Sequence, residues 1–168
     1  MIHRYLATAV GVLILVLASV SWFERRRLQQ SLFWPLVTLF WVCLQGAFGA
    51  LTVTMKLFPA IVTLHLLGGM ALLALLRLQA VRYQQLLQPP LASQRPAAGT
   101  RWALWAMFGV LWVQIALGGW VSTNYAVLAC RDFPTCQGSW WPVMDFAGGF
   151  EWWRELGQRR SGDAIPFP

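Results

Sequence analysis

The chain has 168 residues, of which 58% are hydrophobic and only 11% are charged. Soluble domains have about a quarter charged residues, so this composition argues against a water-soluble fold and equally against a disordered chain. The formal net charge of +7 could indicate a nucleic-acid partner. No nucleic acid is expected, however, because the arginines lie beside apolar runs, where they mark membrane topology more often.

Four uncharged apolar stretches predict transmembrane helices, since about 20 helical residues cross roughly 30 Å of hydrocarbon. In chain order these spans A to D are Tyr5 to Phe23, Leu32 to Thr54, Leu57 to Leu76 and Trp102 to Val121. A signal peptide is the alternative for span A, but the span is long and no convincing cleavage motif precedes the arginines. The predicted fold is all-α, with a polytopic transmembrane bundle in residues 1–122 and an extracytoplasmic tail in residues 123–168.

The connections between the spans differ in charge, which predicts their orientation. The A–B and C–D connections carry seven arginines against Glu24, a net charge of +6, whereas the opposite side has a net charge of +1. An excess of Lys and Arg marks cytoplasmic loops. Both arginine-rich loops are therefore predicted to be cytoplasmic, and the B–C turn and the tail to be extracytoplasmic.

Spans B and D contain a similar sequence at an offset of 69 residues. The matched pairs are Gln45 and Gln114, Ala47 and Ala116, Gly49 and Gly118, and Thr54 and Thr123. Small residues, Gln and Thr are common where membrane helices pack closely, so convergent packing is one interpretation. Duplication of a helix pair, which would produce a pseudo-symmetric bundle suited to a cofactor, is the other.

The chain has only two histidines, His3 at the start of span A and His65 in span C. Pro59 suits a first helical turn, which places His65 about 9 Å further along the helix. Ionisable groups within a bilayer tend to face a bundle interior or a cofactor, and two neutral imidazoles suit the two faces of a haem. Gly68 and Gly69 could leave room for such a ring. The alternatives are a hydrogen bond to a backbone carbonyl and, for His3, a position among the lipid headgroups.

The tail contains Cys130 and Cys136, separated by five residues. Outside the cytoplasm this pair favours a disulfide, and a metal pair is the alternative, although further ligands are lacking nearby. Cys43 lies within span B and is expected to pack there. The tail is also rich in aromatic residues, which predicts that it lies along the membrane surface or caps the bundle.

Three segments resemble the haem A synthases of bacteria and mitochondria. They are MIHRYLAT, PAIVTLHLLGG and, most specifically, QIALGGWVSTNYAVLACRDFPTCQGSWWP, and the resemblance runs from Met1 to about Gly157. It implies an eight-helix membrane protein with two similar four-helix halves. Such an enzyme oxidises a ring methyl of haem O to a formyl group and uses haem b as a further cofactor. The chain would cover helices two to five and is expected to be a fragment; residues 158–168 do not resemble the family.

The resemblance also implies roles for individual residues. His3 and His65 match the histidines taken to hold the substrate haem as axial ligands of its iron, and Cys130 and Cys136 match a cysteine pair in the family. A glutamate implicated in the chemistry would precede Met1, and the haem b ligands would follow Pro168. Catalytic residues are therefore not assigned within this chain.

The resemblance further implies a bacterial inner-membrane location and four partners: the lipid bilayer, haem, an electron donor and haem O synthase. Two other functions fit the residues. One is a non-catalytic haem- or quinone-binding membrane anchor for electron transfer. The other is an assembly or interaction protein whose two histidines are structural.

Overall fold

A computed structural model of the chain describes residues 2–28, 31–87, 96–124, 130, 132–144 and 146–152. These residues form four long helices and one short turn of helix: α1 Ile2–Leu28, α2 Phe33–Thr54, α3 Pro59–Leu87, α4 Ala98–Thr123 and α5 Phe146–Gly149. Each long helix has the length and the apolar composition needed to cross a membrane. The prediction of an all-helical, multi-pass membrane protein is confirmed.

The helices extend beyond the predicted spans where charged residues begin. Helix α1 continues past Phe23 through Arg25, Arg26 and Arg27 to Leu28, and α3 continues past Leu76 to Leu87. An apolar run therefore marks the part of a helix that can cross a membrane and not the end of the helix, because arginine stops an apolar run without stopping a helix. Arginine is a good helix former, and its charge interacts favourably with the carbonyl end of the helix dipole.

A tight turn joins α2 to α3. Lys56 and Leu57 adopt left-handed backbone conformations, with φ angles of 51° and 62°. The Leu57 N–H donates to the carbonyl of Thr52 over 2.8 Å, so a carbonyl at the end of α2 has a partner. Pro59 then begins α3, as its fixed φ favours. The turn makes α2 and α3 antiparallel neighbours.

The long helices pack in chain order, α1 on α2, α2 on α3, and α3 on α4. Helix α1 also reaches α3 through a hydrogen bond of 2.8 Å between the hydroxyls of Ser21 and Tyr83. The helices alternate in direction, so the first residues of α1 and α3 and the last residues of α2 and α4 share one end of the bundle. We call it the histidine end, because it carries His3 and His65, and the opposite end the arginine end. The arginine end carries Arg25, Arg26, Arg27, Arg77, Arg82 and Arg101.

The interface between α2 and α3 is made of polar and small residues. Gln79 donates a side-chain hydrogen bond to the hydroxyl of Thr38, which is fully buried. The indole N–H of Trp41 donates to the carbonyl of Gly68 over 2.9 Å. The Gln45 amide fills the space beside Gly68, where a Cβ atom would lie 1.9 Å from Gln45 Nε2. Hydrogen bonds and close backbone approach therefore hold these two helices together.

Cys43 lies outside this interface. Its side chain is exposed and forms no disulfide, so the expectation that it packs within span B was wrong. The physical reason is its angular position, because two residues turn a helix by about 200° and so place Cys43 almost opposite Gln45. Many large apolar side chains of all four long helices are likewise exposed, as expected for surfaces that face lipid.

Candidate functional site

The imidazole of His65 lies against the backbone of α2 at Gly49. A Cβ atom on Gly49 would lie 3.3 Å from Cε1 and 3.7 Å from Nε2 of His65. Glycine at this position therefore leaves the space that the ring uses. His65 faces the helix interface, as expected of an ionisable residue within an apolar span.

The two nitrogens of this ring differ in their surroundings. The residue as a whole is half-buried, but Nδ1 is fully buried and has no hydrogen-bond partner among the described residues. A buried polar atom without a partner costs about 1–3 kcal/mol, so the ring has unused hydrogen-bonding capacity. A backbone carbonyl does not satisfy Nδ1, and Nε2 is the nitrogen that remains for a metal. These properties fit an imidazole that ligates haem iron.

His3 lies in the first turn of α1, at the same end of the bundle. Its side chain is exposed, and it is close enough to His65 for the two imidazoles to interact electrostatically. The fold therefore brings together two histidines that are 62 positions apart in the chain. His65 is held between two helices, and His3 lies at the surface of the same end of the bundle.

The space expected at Gly68 and Gly69 is available at only one of them. No described atom lies within 4 Å of a Cβ on Gly69, but the side chain of Gln45 occupies the space beside Gly68. The expectation was wrong at Gly68 because a residue of the neighbouring helix fills the gap. Sequence reasoning did not assign Gln45 to the site, although its position one turn before Gly49 could have indicated it.

Gln45 shares an unusual property with His65. Its side chain is only 7% exposed, and its Oε1 is buried without a hydrogen-bond partner in the described part of the chain. Two further oxygens have the same property, Oγ1 of Thr63 and Oε1 of Gln79. Gln79 uses its amide nitrogen to bind Thr38 at a position further towards the arginine end. Of these four atoms without partners, those of His65, Gln45 and Thr63 lie towards the histidine end, and that of Gln79 lies towards the arginine end.

The repeated sequence in α4 makes different contacts. Gln114 is exposed, and a Cβ on Gly118 would have no described atom within 4 Å. The next residue, Gly119, packs on α3 instead, where a Cβ would lie 3.0 Å from Cδ2 of Leu66. The similar sequences of α2 and α4 therefore present different faces to α3. Convergent packing and duplication both stay open as interpretations of the repeat.

The loop after α4 is closed by a disulfide between Cys130 and Cys136, with Cα atoms 4.7 Å apart. Within it, the backbone groups of Cys136 and Ser139 exchange two hydrogen bonds of 2.9 and 3.1 Å. The Asp132 carboxylate accepts the N–H of Gly138 over 2.9 Å. The disulfide prediction is confirmed, and the metal alternative for this pair was wrong because each sulfur is bonded to the other.

The aromatic tail caps the pair formed by α3 and α4. The indole of Trp120 donates to the carbonyl of Gly149 over 2.8 Å and stacks on Phe150, with ring centroids 6.3 Å apart. Trp152 lies beside the same indole, at 6.0 Å. Below these rings is an apolar cavity of about 200 Å³, lined by α3 and α4. The sequence predicted that the tail lies along the membrane surface or caps the bundle. Its last described residues form a cap.

Fold and site together define a class of protein, a polytopic helical membrane protein with two neighbouring histidines at one end of its bundle and a disulfide-closed loop beyond α4. Comparison with known families gives the particular group. Residues 1–159 match the COX15-CtaA family, described as cytochrome oxidase assembly protein, and the chain belongs to this family. The resemblance seen in the sequence is confirmed.

Several curated relatives carry the name heme A synthase. The protein of Shewanella oneidensis is 38% identical over an alignment 155 residues long, which covers 89% of this chain and 44% of the relative. The protein of Shouchella clausii is 25% identical over an alignment 143 residues long, which covers 83% of this chain and 47% of the relative. The protein of Bacillus licheniformis is 27% identical over a gapped alignment 170 residues long, which covers 95% of this chain and 52% of the relative. The chain thus spans about half the length of these relatives. No solved structure matches it.

Proposed function

We propose that this chain is the part of a haem A synthase that holds the substrate haem. The proposed reaction is the oxidation of a ring methyl group of haem O to a formyl group. Family membership and the names of the relatives support this activity. The observation that carries the proposal is the half-buried imidazole of His65, which lies against Gly49 at the end of the bundle that also carries His3.

In this proposal His3 and His65 are the axial ligands of the haem iron. Their environments suggest different contributions. His65 is held between α2 and α3, so its position is set by helix packing. His3 is exposed in the first turn of α1, where its side chain has more freedom to adjust. Bound haem supplies the iron and the methyl group that is oxidised, while the protein orients it and excludes competing reactions.

Haem b is proposed as a further cofactor, and none of the described residues is assigned to it. The catalytic residues are also unassigned. An electron donor and haem O synthase are the proposed protein partners, because the reaction consumes the product of one and requires electron transfer with the other. The relatives are named as synthases, which favours this function over a non-catalytic haem- or quinone-binding anchor.

We also propose an orientation within a bacterial inner membrane. The arginine end would face the cytoplasm, since Lys and Arg are enriched in cytoplasmic loops. The histidine end and the disulfide loop would then face the extracytoplasmic side, where disulfides are stable. In this orientation the substrate haem would lie near the extracytoplasmic surface.

Haem binding tests the proposed function directly. The full chain is purified in detergent and titrated with ferric haem b as the probe, and its optical spectrum is recorded. We expect the bands of a low-spin haem with two imidazole ligands, and their loss in His3→Ala and His65→Ala. Leu64→Ala is the control, because Leu64 neighbours His65 in α3 but is 42% exposed. A His65→Ala protein with the wild-type spectrum would show that ligation by this pair is wrong.

A further inference from the structure

Two buried polar atoms, neither with a hydrogen-bond partner among the described residues, belong to side chains that face the interface between α2 and α3. One is Nδ1 of His65, which can donate a hydrogen bond through its N–H, and the other is Oε1 of Gln45, an amide oxygen that can only accept a hydrogen bond. The imidazole N–H is a donor without an acceptor among the described residues, and the amide oxygen is an acceptor without a donor. The proposed haem ligation uses Nε2 of His65 and leaves Nδ1 without a role.

The register of the two helices places these side chains one helical turn apart. Gln45 lies beside Gly68, and Gly49 lies beside His65. Gln45 and Gly49 are four residues apart on α2, and His65 and Gly68 are three apart on α3, so each pair shares a face. One turn corresponds to about 5.4 Å along the axis. A glutamine side chain has three rotatable bonds and can move its terminal oxygen over such a distance.

Neighbouring contacts keep the two helices in this register. Trp41 binds the carbonyl of Gly68, one turn before Gln45 on α2. Gln79 and Thr38 are hydrogen bonded further towards the arginine end. The amide nitrogen of Gln79 therefore has a partner, whereas its Oε1, like Oε1 of Gln45, has none among the described residues. Of these two glutamines, Gln45 is the one that lies about one helical turn from His65, so its side-chain oxygen is the nearer acceptor.

We propose that Gln45 is a positioning residue for His65, an inference that rests on the proposed function. When Nε2 of His65 binds haem iron, the Gln45 side-chain oxygen accepts the hydrogen bond from Nδ1–H. This contact fixes the tautomer that leaves the Nε2 lone pair free for the metal. Histidines that bind metals almost always donate their second N–H in this way, which orients the ring and raises its basicity.

The contact has a measurable electronic consequence. A more basic imidazole donates more charge to iron and stabilises the ferric state over the ferrous state. Wild-type protein should therefore hold ferric haem b more tightly and at a lower reduction potential than a protein without the acceptor. Loss of such a partner typically weakens metal binding by about tenfold to a hundredfold.

The test compares four full-length proteins loaded with ferric haem b: wild type, Gln45→Met, Gln45→Glu and Gln114→Met. Methionine matches the length of glutamine without the amide oxygen, and glutamate keeps an acceptor oxygen. We expect Gln45→Met to raise the reduction potential and to weaken ferric-haem binding about tenfold, while Gln45→Glu keeps the potential at or below that of wild type. Gln114→Met should match wild type, because Gln114 is exposed at the corresponding position of α4.

A fifth variant, Gln79→Met, separates hydrogen bonding from packing, since it makes the same change in the same interface away from His65. The inference is overturned if Gln45→Met has the wild-type potential and affinity, or if Gln79→Met changes both as much. Should Gln45→Met fail to fold, a Gln45→Glu potential above that of wild type overturns it instead. If the wild-type protein does not bind haem, the proposed function fails together with this inference. If the wild-type protein binds haem and Gln45→Met behaves as wild type, this inference alone fails.

Discussion

Single residues at the histidine end show how glycine creates space for a functional side chain. The imidazole of His65 occupies space that a side chain at residue 49 would need. Its Cε1 lies 3.3 Å from the position that a Cβ atom on Gly49 would take. Such a separation is already tight for a single carbon. A larger side chain must move the ring, and moving the ring changes the direction in which Nε2 points.

Substitution at Gly49 should therefore impair haem binding. We expect Gly49→Val to weaken the affinity for ferric haem b about tenfold, which corresponds to about 1.4 kcal/mol. The measurement is an optical titration of the purified protein. Gly46→Val is the matched control, because it lies in the same helix and no described atom is within 4 Å of its Cβ position. Equal affinities of the two variants would contradict the idea that Gly49 makes room for His65.

At the scale of helices, the pairing of α2 with α3 depends on side chains that the apolar pattern does not reveal. The contacts are hydrogen bonds from Trp41 and Gln79 and the insertion of Gln45 beside Gly68. Hydrophobic burial contributes little to helix pairing within lipid, because the lipid chains are as apolar as the side chains. Close approach and polar contacts therefore decide which faces meet.

Neighbouring glycines in α3 test this interface. We expect Gly68→Ala to be less stable than Gly69→Ala by about 1 kcal/mol, because the new Cβ would lie 1.9 Å from Gln45 Nε2 and the flexible end of Gln45 would have to move. Gly69→Ala should be neutral or slightly stabilising, since its Cβ position is open and alanine favours helix. Unfolding in mixed detergent and sodium dodecyl sulfate, followed by circular dichroism, measures both. Equal stabilities would show that Gln45 is not closely packed on Gly68.

At the scale of the whole molecule, the two ends of the bundle have different chemistry. The arginine end carries six arginines, and two guanidinium groups lie over indole rings, Arg25 over Trp22 at 4.7 Å and Arg82 over Trp34 at 5.5 Å. Arginine and tryptophan are both common at membrane interfaces. The histidine end carries the disulfide loop and the aromatic cap. This separation follows from the alternating directions of the helices.

The proposed orientation can be tested with thiol labelling in a Cys43→Ser protein, which leaves only Cys130 and Cys136. After reduction of the disulfide, a membrane-impermeant maleimide should label both residues in right-side-out vesicles and neither in sealed inverted vesicles. A Cys130→Ser/Cys136→Ser protein that retains Cys43 is the control; its thiol lies within an apolar span and should react in neither preparation. Labelling of the pair in inverted vesicles alone would reverse the orientation.

Local patterns in the chain were sufficient for several conclusions. The lengths of the apolar runs predicted four membrane helices, the spacing of Cys130 and Cys136 predicted a disulfide, and the resemblance predicted the family. Each depends on residues that are close together in sequence, or on the identity of single motifs. The apolar runs did not define the helix ends at Leu28 and Leu87, because charge ends an apolar run and leaves helix propensity intact.

Only the tertiary structure decided how the helices contact one another. It placed His65 on Gly49, filled the space at Gly68 with Gln45, and turned Gly119 rather than Gly118 towards α3. These contacts depend on the rotation of each helix about its axis and on its depth relative to its neighbours. The packing of residues that are distant in the chain sets both the rotation and the depth of each helix. A run of apolar residues in one helix therefore cannot predict them.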